Sequence, residues 1–226
     1  HQVFGNRIRQ TGSSAVMVCG FNPGKRIGIG NAETEVVRIQ NCRIALNDIS
    51  KTNVANDYNA TFKNADDLPG GNNEAVSVCC AYLNVFTEWN DIHDTLQYGV
   101  DYKSGGAGGA IRYNRIWNCT NHGIYIETGR RFVRDLDVHD NIIWRCRNGI
   151  VLAREADYDT EPGPIADFQM EFRNIRIWNN VIFLIDRDGI AASPHHGDHY
   201  SGTITGIRIL FNTIVDCGQE EGHHYR

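Results

Sequence analysis

A chain of 226 residues is long enough for one domain with its own core. Its net charge is −5, with 22 basic against 27 acidic residues, and no basic stripe interleaved with aromatics marks a nucleic-acid partner. No stretch approaches the ~20 apolar residues of a membrane span, and seven scattered cysteines without a C-x-x-C pair speak against a zinc site or disulfide framework. The opening His1-Gln-Val, with neither an initiator Met nor a leader, reads as the start of a processed or excised piece.

Along the chain one unit returns, the sign of a repeat architecture. The first copy has Asn6, Ile8 and Thr11, then Val16 and Val18 in alternation. The second has Cys42 and Ile44 before Asn47, Ile49 and Thr52, and Val76 and Val78 after an insertion. Asn90, Ile92 and Thr95 lead through Gly99 to Val100 and Tyr102; Asn114, Ile116 and Cys119 lead through Gly123 to Ile124 and Ile126. Leu136 and Val138 precede Asn141, Ile143 and Cys146, followed by Gly149, Ile150 and Leu152. Ile175 and Ile177 precede Asn180, Ile182 and Ile185, then Gly189, Ile190 and Ala192; Ile207 and Ile209 precede Asn212, Ile214 and Cys217. Alternation with period two marks half-buried strands, and the glycines fall where a corner demands a permissive backbone.

Each unit therefore holds three short strands and three corners, and about seven units stack like over like at a strand spacing of ~4.8 Å. This predicts an all-β, right-handed parallel β-helix with aliphatic columns inside. An asparagine column bonds along the axis at one corner, with the isoleucines two residues later buried just past it. Cys119, Cys146 and Cys217 fall in an inward column and read as core thiols, with Cys119 and Cys146 as reduced neighbours. An antiparallel sandwich fails on the short period and the identical columns.

From Val3 to Cys217 the pattern resembles the right-handed β-helix superfamily of pectate, alginate and chondroitin lyases, polygalacturonases and many secreted proteins. The resemblance implies secretion and, in many members, action on polysaccharide. It is poor evidence for one reaction, because the fold hosts lyases, hydrolases, epimerases and inert fibres.

The whole chain reads as one domain with loop insertions near 20–35, 53–73, 154–170 and 194–203. The insertions read as walls of a cleft, with the strand after the small-residue column as its exposed floor. One outward column of that floor is Met17, Ser77, Asp101, Tyr125, Val151 and Ala191; the next is Cys19, Cys79, Lys103, Glu127, Ala153 and Ser193. Val100-Asp-Tyr-Lys-Ser resembles the lysine-bearing strand of alginate and chondroitin lyases, which implies that Lys103 is catalytic. Those lyases carry an arginine one turn later, where this chain has Glu127, with Arg130 and Arg131 just beyond.

The expected chemistry is cleavage of an acidic, uronate-containing polysaccharide by β-elimination, which needs a base and a cation against the carboxylate. Lys103, Glu127 and Arg131 are the expected catalytic groups. Asp101, Tyr125, Arg112 and Arg154 are the expected substrate contacts, and Asp101 with Glu127 the oxygen ligands of a Ca²⁺ cofactor. A base lysine needs a lowered pKa, and neighbouring carboxylates raise it, so Ca²⁺ would have to neutralise them. Three other readings stand beside this one. Asp101 and Glu127 could be the carboxylate pair of a glycoside hydrolase. The chain could be a non-catalytic module, stacking end to end with itself or with flanking turns, or binding glycan. Lys103–Glu127 could be an ordinary exposed ion pair, whose loss leaves the thermal midpoint almost unchanged. Glu88, Arg112 and His139 form a second outward cluster that reads as a solvated face, and His195, His196 and His199 read as a polar loop tip rather than a metal site.

Overall fold

The computed structural model describes residues 1–20, 39–53, 74–79, 82–103, 105–128, 132–153, 170–193 and 202–218. Among them every regular element is a β-strand, and the strands form three parallel sheets of nine, seven and six members. The chain is a right-handed parallel β-helix with three strands per turn. The first sheet carries the strands before each ladder asparagine, such as Tyr82–Glu88, Gly106–Arg112 and Val133–His139. The second carries those after it, such as Asp91–Thr95, Arg115–Cys119 and Val181–Ile185. The third carries Val16–Cys19, Val76–Cys79, Val100–Tyr102, His122–Glu127, Asn148–Ala153 and Ile190–Ser193.

Each turn carries residues in the left-handed backbone region at set positions. The residue before each ladder asparagine has positive φ: Gly5, Leu46, Trp89, Tyr113, Asp140, Asn179 and Phe211. So does the fourth residue after it: Gln10, Lys51, Asp94, Asn118, Arg145, Leu184 and Asp216. That second column explains why Ile116 and Cys119, three residues apart, both point inward: Asn118 at φ 53° breaks the alternation. A third column, six residues before each asparagine, is Asn41, Asn84, Gly108, Asp135, Asn174 and Gly206, all of the types that tolerate this region.

The asparagine ladder is continuous over seven rungs. In each step one Oδ1 accepts from both the backbone N–H and the Nδ2 of the preceding asparagine, at 2.9–3.1 Å. Inside it, Ile49, Ile92, Ile116, Ile143 and Ile182 are fully buried, each worth roughly 1.5–3 kcal/mol of apolar transfer. Ile214 departs from the expectation of burial: it is 45% exposed. It keeps the inward register, paired with Ile182, but among the described residues no turn lies beyond it.

Cys119 and Cys146 are buried, free and adjacent, as a core reading requires. Burial and the neighbouring Cys119 push the Cys146 thiol well up, so it stays neutral. The glycine column corrects the sequence reading. Gly99, Gly123, Gly149 and Gly189 are absent from the positive-φ glycines, so backbone freedom is not what selects them. Close approach does: a Cβ on Gly149 would lie 2.3 Å from the Gly189 carbonyl oxygen and 2.8 Å from Ile182 Cγ2.

Candidate functional site

The outward face of the third sheet has the expected register. Asp101 pairs with Ser77 below and Tyr125 above, and Glu127 pairs with Ala153. The expectation of an exposed floor is overturned. Ser77 and Asp101 are fully buried, and Cys79, Tyr125, Glu127, Val151 and Ala153 are buried as well. Part of the reason is a second apolar layer on this face, in which Tyr125, Val151 and Ala153 pack with Tyr98 and Ala191. The insertions expected to wall the cleft lie, apart from their end residues, outside the described residues, as do Arg130, Arg131, Arg154 and the histidines 195, 196 and 199.

Lys103 is the one cation of this face among the described residues, and three carboxylates surround it. Its Nζ lies 2.8 Å from Glu74 Oε1, 3.1 Å from Asp101 Oδ2 and 4.0 Å from Glu127 Oε1. The surface-pair reading therefore falls: Glu74 and Asp101 are nearer than Glu127, and both are buried, at 3% and 0% exposure of the side chain. The lysine side chain keeps one third of its exposure. The Ser77 hydroxyl on the strand below Asp101 is buried without a hydrogen-bond partner.

The electrostatics follow from this crowding. Burial alone would lower the Lys103 pKa, but Asp101, Glu74 and Glu127 outweigh it and raise the pKa well above the ordinary value. For Asp101, burial dominates and raises the carboxyl pKa well above 3.8; Lys103 pulls it down, and Glu74 pushes it further up. One ammonium thus faces three carboxylates, and burial makes Asp101 hold its proton more tightly than an ordinary carboxyl does. The arrangement offers a partly exposed fixed cation, a buried carboxyl of raised pKa and another carboxylate 4.0 Å from the cation.

The structure brings together Asp101, Lys103, Tyr125 and Glu127, and not Arg112. That arginine lies on the first sheet, where its Nε donates to Glu88 at 2.7 Å and its guanidinium packs on Phe86 and Tyr113. Glu88 also bonds Arg43, while His139 stacks on Trp178 at 4.2 Å and bonds Asp140. With Glu88 and His139 buried, this cluster is not the solvated face expected of it.

Sequence reasoning missed Glu74, Tyr98 and His122. They share one column with Asn148 and Asp188, each immediately before the small residue that opens a third-sheet strand. Column reading began after that small residue, so the signal was present and skipped. His122 stacks on Tyr98 at 4.8 Å with rings 7° apart, and on Tyr125 at 4.9 Å. Among known proteins, the chain matches no family model, no curated relative and no solved structure.

Proposed function

We propose that the chain is a carbohydrate-active protein that cleaves an acidic, uronate-containing polysaccharide by β-elimination on its third-sheet face. One observation carries the reading: Glu74, Asp101 and Glu127 are buried around a single cation on a face pointing away from the core. Burying charges this way is costly to stability, and perturbed ionisable groups concentrate at functional sites.

Removing the proton beside a uronate carboxylate needs a cation against that carboxylate and a proton acceptor within reach. Lys103, held as an ammonium and one third exposed, suits the first role and not that of base. Asp101, with its raised pKa, is a stronger acceptor than an ordinary carboxylate once ionised, and Glu127 stands 4.0 Å from the same ammonium. The oxygens of Glu74, Asp101 and Glu127 suit Ca²⁺ in type, but the Lys103 ammonium stands among them and supplies the positive charge there. A polymer substrate of this kind belongs outside the cell, which makes secretion part of the same proposal.

The test is incubation with pectate, alginate and glycosaminoglycans, with Ca²⁺ and with chelator. The reading expects the ultraviolet absorbance of unsaturated products. New reducing ends without that absorbance would replace it with a hydrolase, Asp101 as acid and Glu127 as base. Neither product, with no polymer bound, overturns it in favour of end-to-end stacking. That second reading is of a non-catalytic module whose coil stacks end to end with another copy. Concentration-dependent growth in sedimentation would support it.

A further inference from the structure

We infer that Arg43 and Arg112 form a second binding site, on the first-sheet face, which takes a carboxylate or sulfate group of an acidic polysaccharide. Glu88 builds it. Its side chain is 1% exposed, Arg43 donates to its Oε1, and Arg112 donates to its Oε2 at 2.7 Å, each through Nε. The strand of Glu88 runs between those of the two arginines, so one buried carboxylate draws both cations together.

The donors that this pairing leaves over point to a ligand. Two other arginines spend their forks on a single partner: Arg115 gives Nε and an Nη to Asp91, and Arg176 gives the same two to Asp137. Arg43 and Arg112 spend Nε alone, and among the described residues no acceptor is bonded to their Nη groups. Two guanidinium charges against one carboxylate also leave a positive surplus, and the side chains keep 47% and 33% of their exposure, so charge and donors reach solvent. Arg112 is held in place by the Phe86 and Tyr113 rings, each 5.6 Å from its guanidinium carbon, which lowers the ordering cost of binding. Guanidinium forks match the oxygens of carboxylate and sulfate. A staple between turns needs one arginine for one carboxylate; the second is surplus to it. Arg134, on the strand next to that of Arg112, packs on Phe132 at 4.4 Å and meets no carboxylate among the described residues. Unpaired cations on successive turns suit a polymer with repeated oxyanions better than one small ion. The oxyanion site stands on this geometry alone; the polysaccharide as its source rests on the proposed function.

Titration of the whole chain, followed through the arginine Nε–H signals in ¹⁵N spectra, tests both parts. Inorganic sulfate and oligomers of galacturonate are the probes, with chloride at matched ionic strength as the blank. Both should shift the Arg43 and Arg112 signals, the oligomers at the lower concentration. In Arg43→Lys the single amine still pairs with Glu88 but leaves no fork. Its thermal midpoint should hold within a few degrees, while oligomer affinity read at the Arg112 signal falls about tenfold. Wild-type signals unmoved by either probe overturn the site, a result that stands even if the variant fails to fold. Equal affinity in Arg43→Lys and wild type overturns it too. Sulfate acting as strongly as the oligomers makes a free anion the ligand and overturns the polysaccharide. Oligomers that bind here yet are never cut remove the proposed function and leave this site standing.

Discussion

Replacing Asn114 with alanine should be among the most damaging single changes outside the aliphatic core. Its Oδ1 accepts from the Asn90 backbone N–H and from Asn90 Nδ2, both at 3.0 Å. Its Nδ2 donates to the Thr87 carbonyl at 2.8 Å and to Asn141 Oδ1 at 3.0 Å. Two of the four partners keep other bonds: Asn90 Nδ2 still reaches the Ile44 and Glu88 carbonyls, and Asn141 Oδ1 still accepts from the residue-114 backbone. The Asn90 N–H loses its partner and the Thr87 carbonyl loses its side-chain donor, in an interior where Asn90 and Asn114 are 1% and 0% exposed. At about 1–3 kcal/mol for a buried group left without a partner and about 1 kcal/mol for the other lost bond, the loss should be about 3 kcal/mol. That is a large part of the 5–15 kcal/mol typical of a domain. Urea unfolding of Asn114→Ala should show it as a lowered midpoint with little change in slope. Asn6→Ala, at the exposed end of the same ladder, is the control and should cost under about 1 kcal/mol. Equal costs at the two sites would refute the view that the ladder stabilises by satisfying buried backbone groups.

Lys103→Ala should lower stability by about 3 kcal/mol at pH 8, the lower end of the range for breaking a buried pair, because the lysine is one third exposed. The deficit should shrink on acidification as the stranded carboxylates protonate; a thermal midpoint equal to wild type at pH 8 would show that the cluster is solvated. Asp101→Asn should act oppositely. The folded chain raises the Asp101 pKa above its ordinary 3.8, so this group favours the fold fully below that value and loses the contribution as pH rises through the raised one. Denaturant titrations should therefore find Asp101→Asn close to wild type at pH 4 and more stable than wild type at pH 8; a gap of the other sign would contradict the assignment. Gly149→Ala should cost about 3 kcal/mol by overpacking, since its Cβ would meet a backbone oxygen at 2.3 Å. Calorimetry showing a stabilised alanine variant there would mean the turns can part more easily than the contacts imply.

The sequence by itself determined the coil, the ladder and the core. A β-helix stacks equivalent positions on one another, so Asn114 over Asn90 and Ile116 over Ile92 appear in the sequence as recurrence at each turn. One of the three left-handed columns was equally legible, being all Asn, Asp and Gly at Asn41, Asn84, Gly108, Asp135, Asn174 and Gly206, within the first-sheet ribbon. The other two were not, because residues such as Trp89, Tyr113 and Leu184 hold positive φ only under the constraint of the turns above and below. The glycines were located correctly and explained wrongly, for the close approach of Gly149 to Gly189 exists only once the turns are stacked.

At the candidate site the line falls in the same place. Alternation along a strand put Asp101, Lys103 and Glu127 on one face and gave their register. It carried no information about what reaches that face from beyond the strand, so Glu74 escaped notice and the floor was taken to be open. Burial and ion pairing depend on distances between residues of different turns, and those distances turned an expected surface pair into a buried cluster with one cation. Sequence periodicity reports which way a side chain points; only tertiary structure decides what it meets there, because the dielectric and the charges it meets come from neighbours far along the chain.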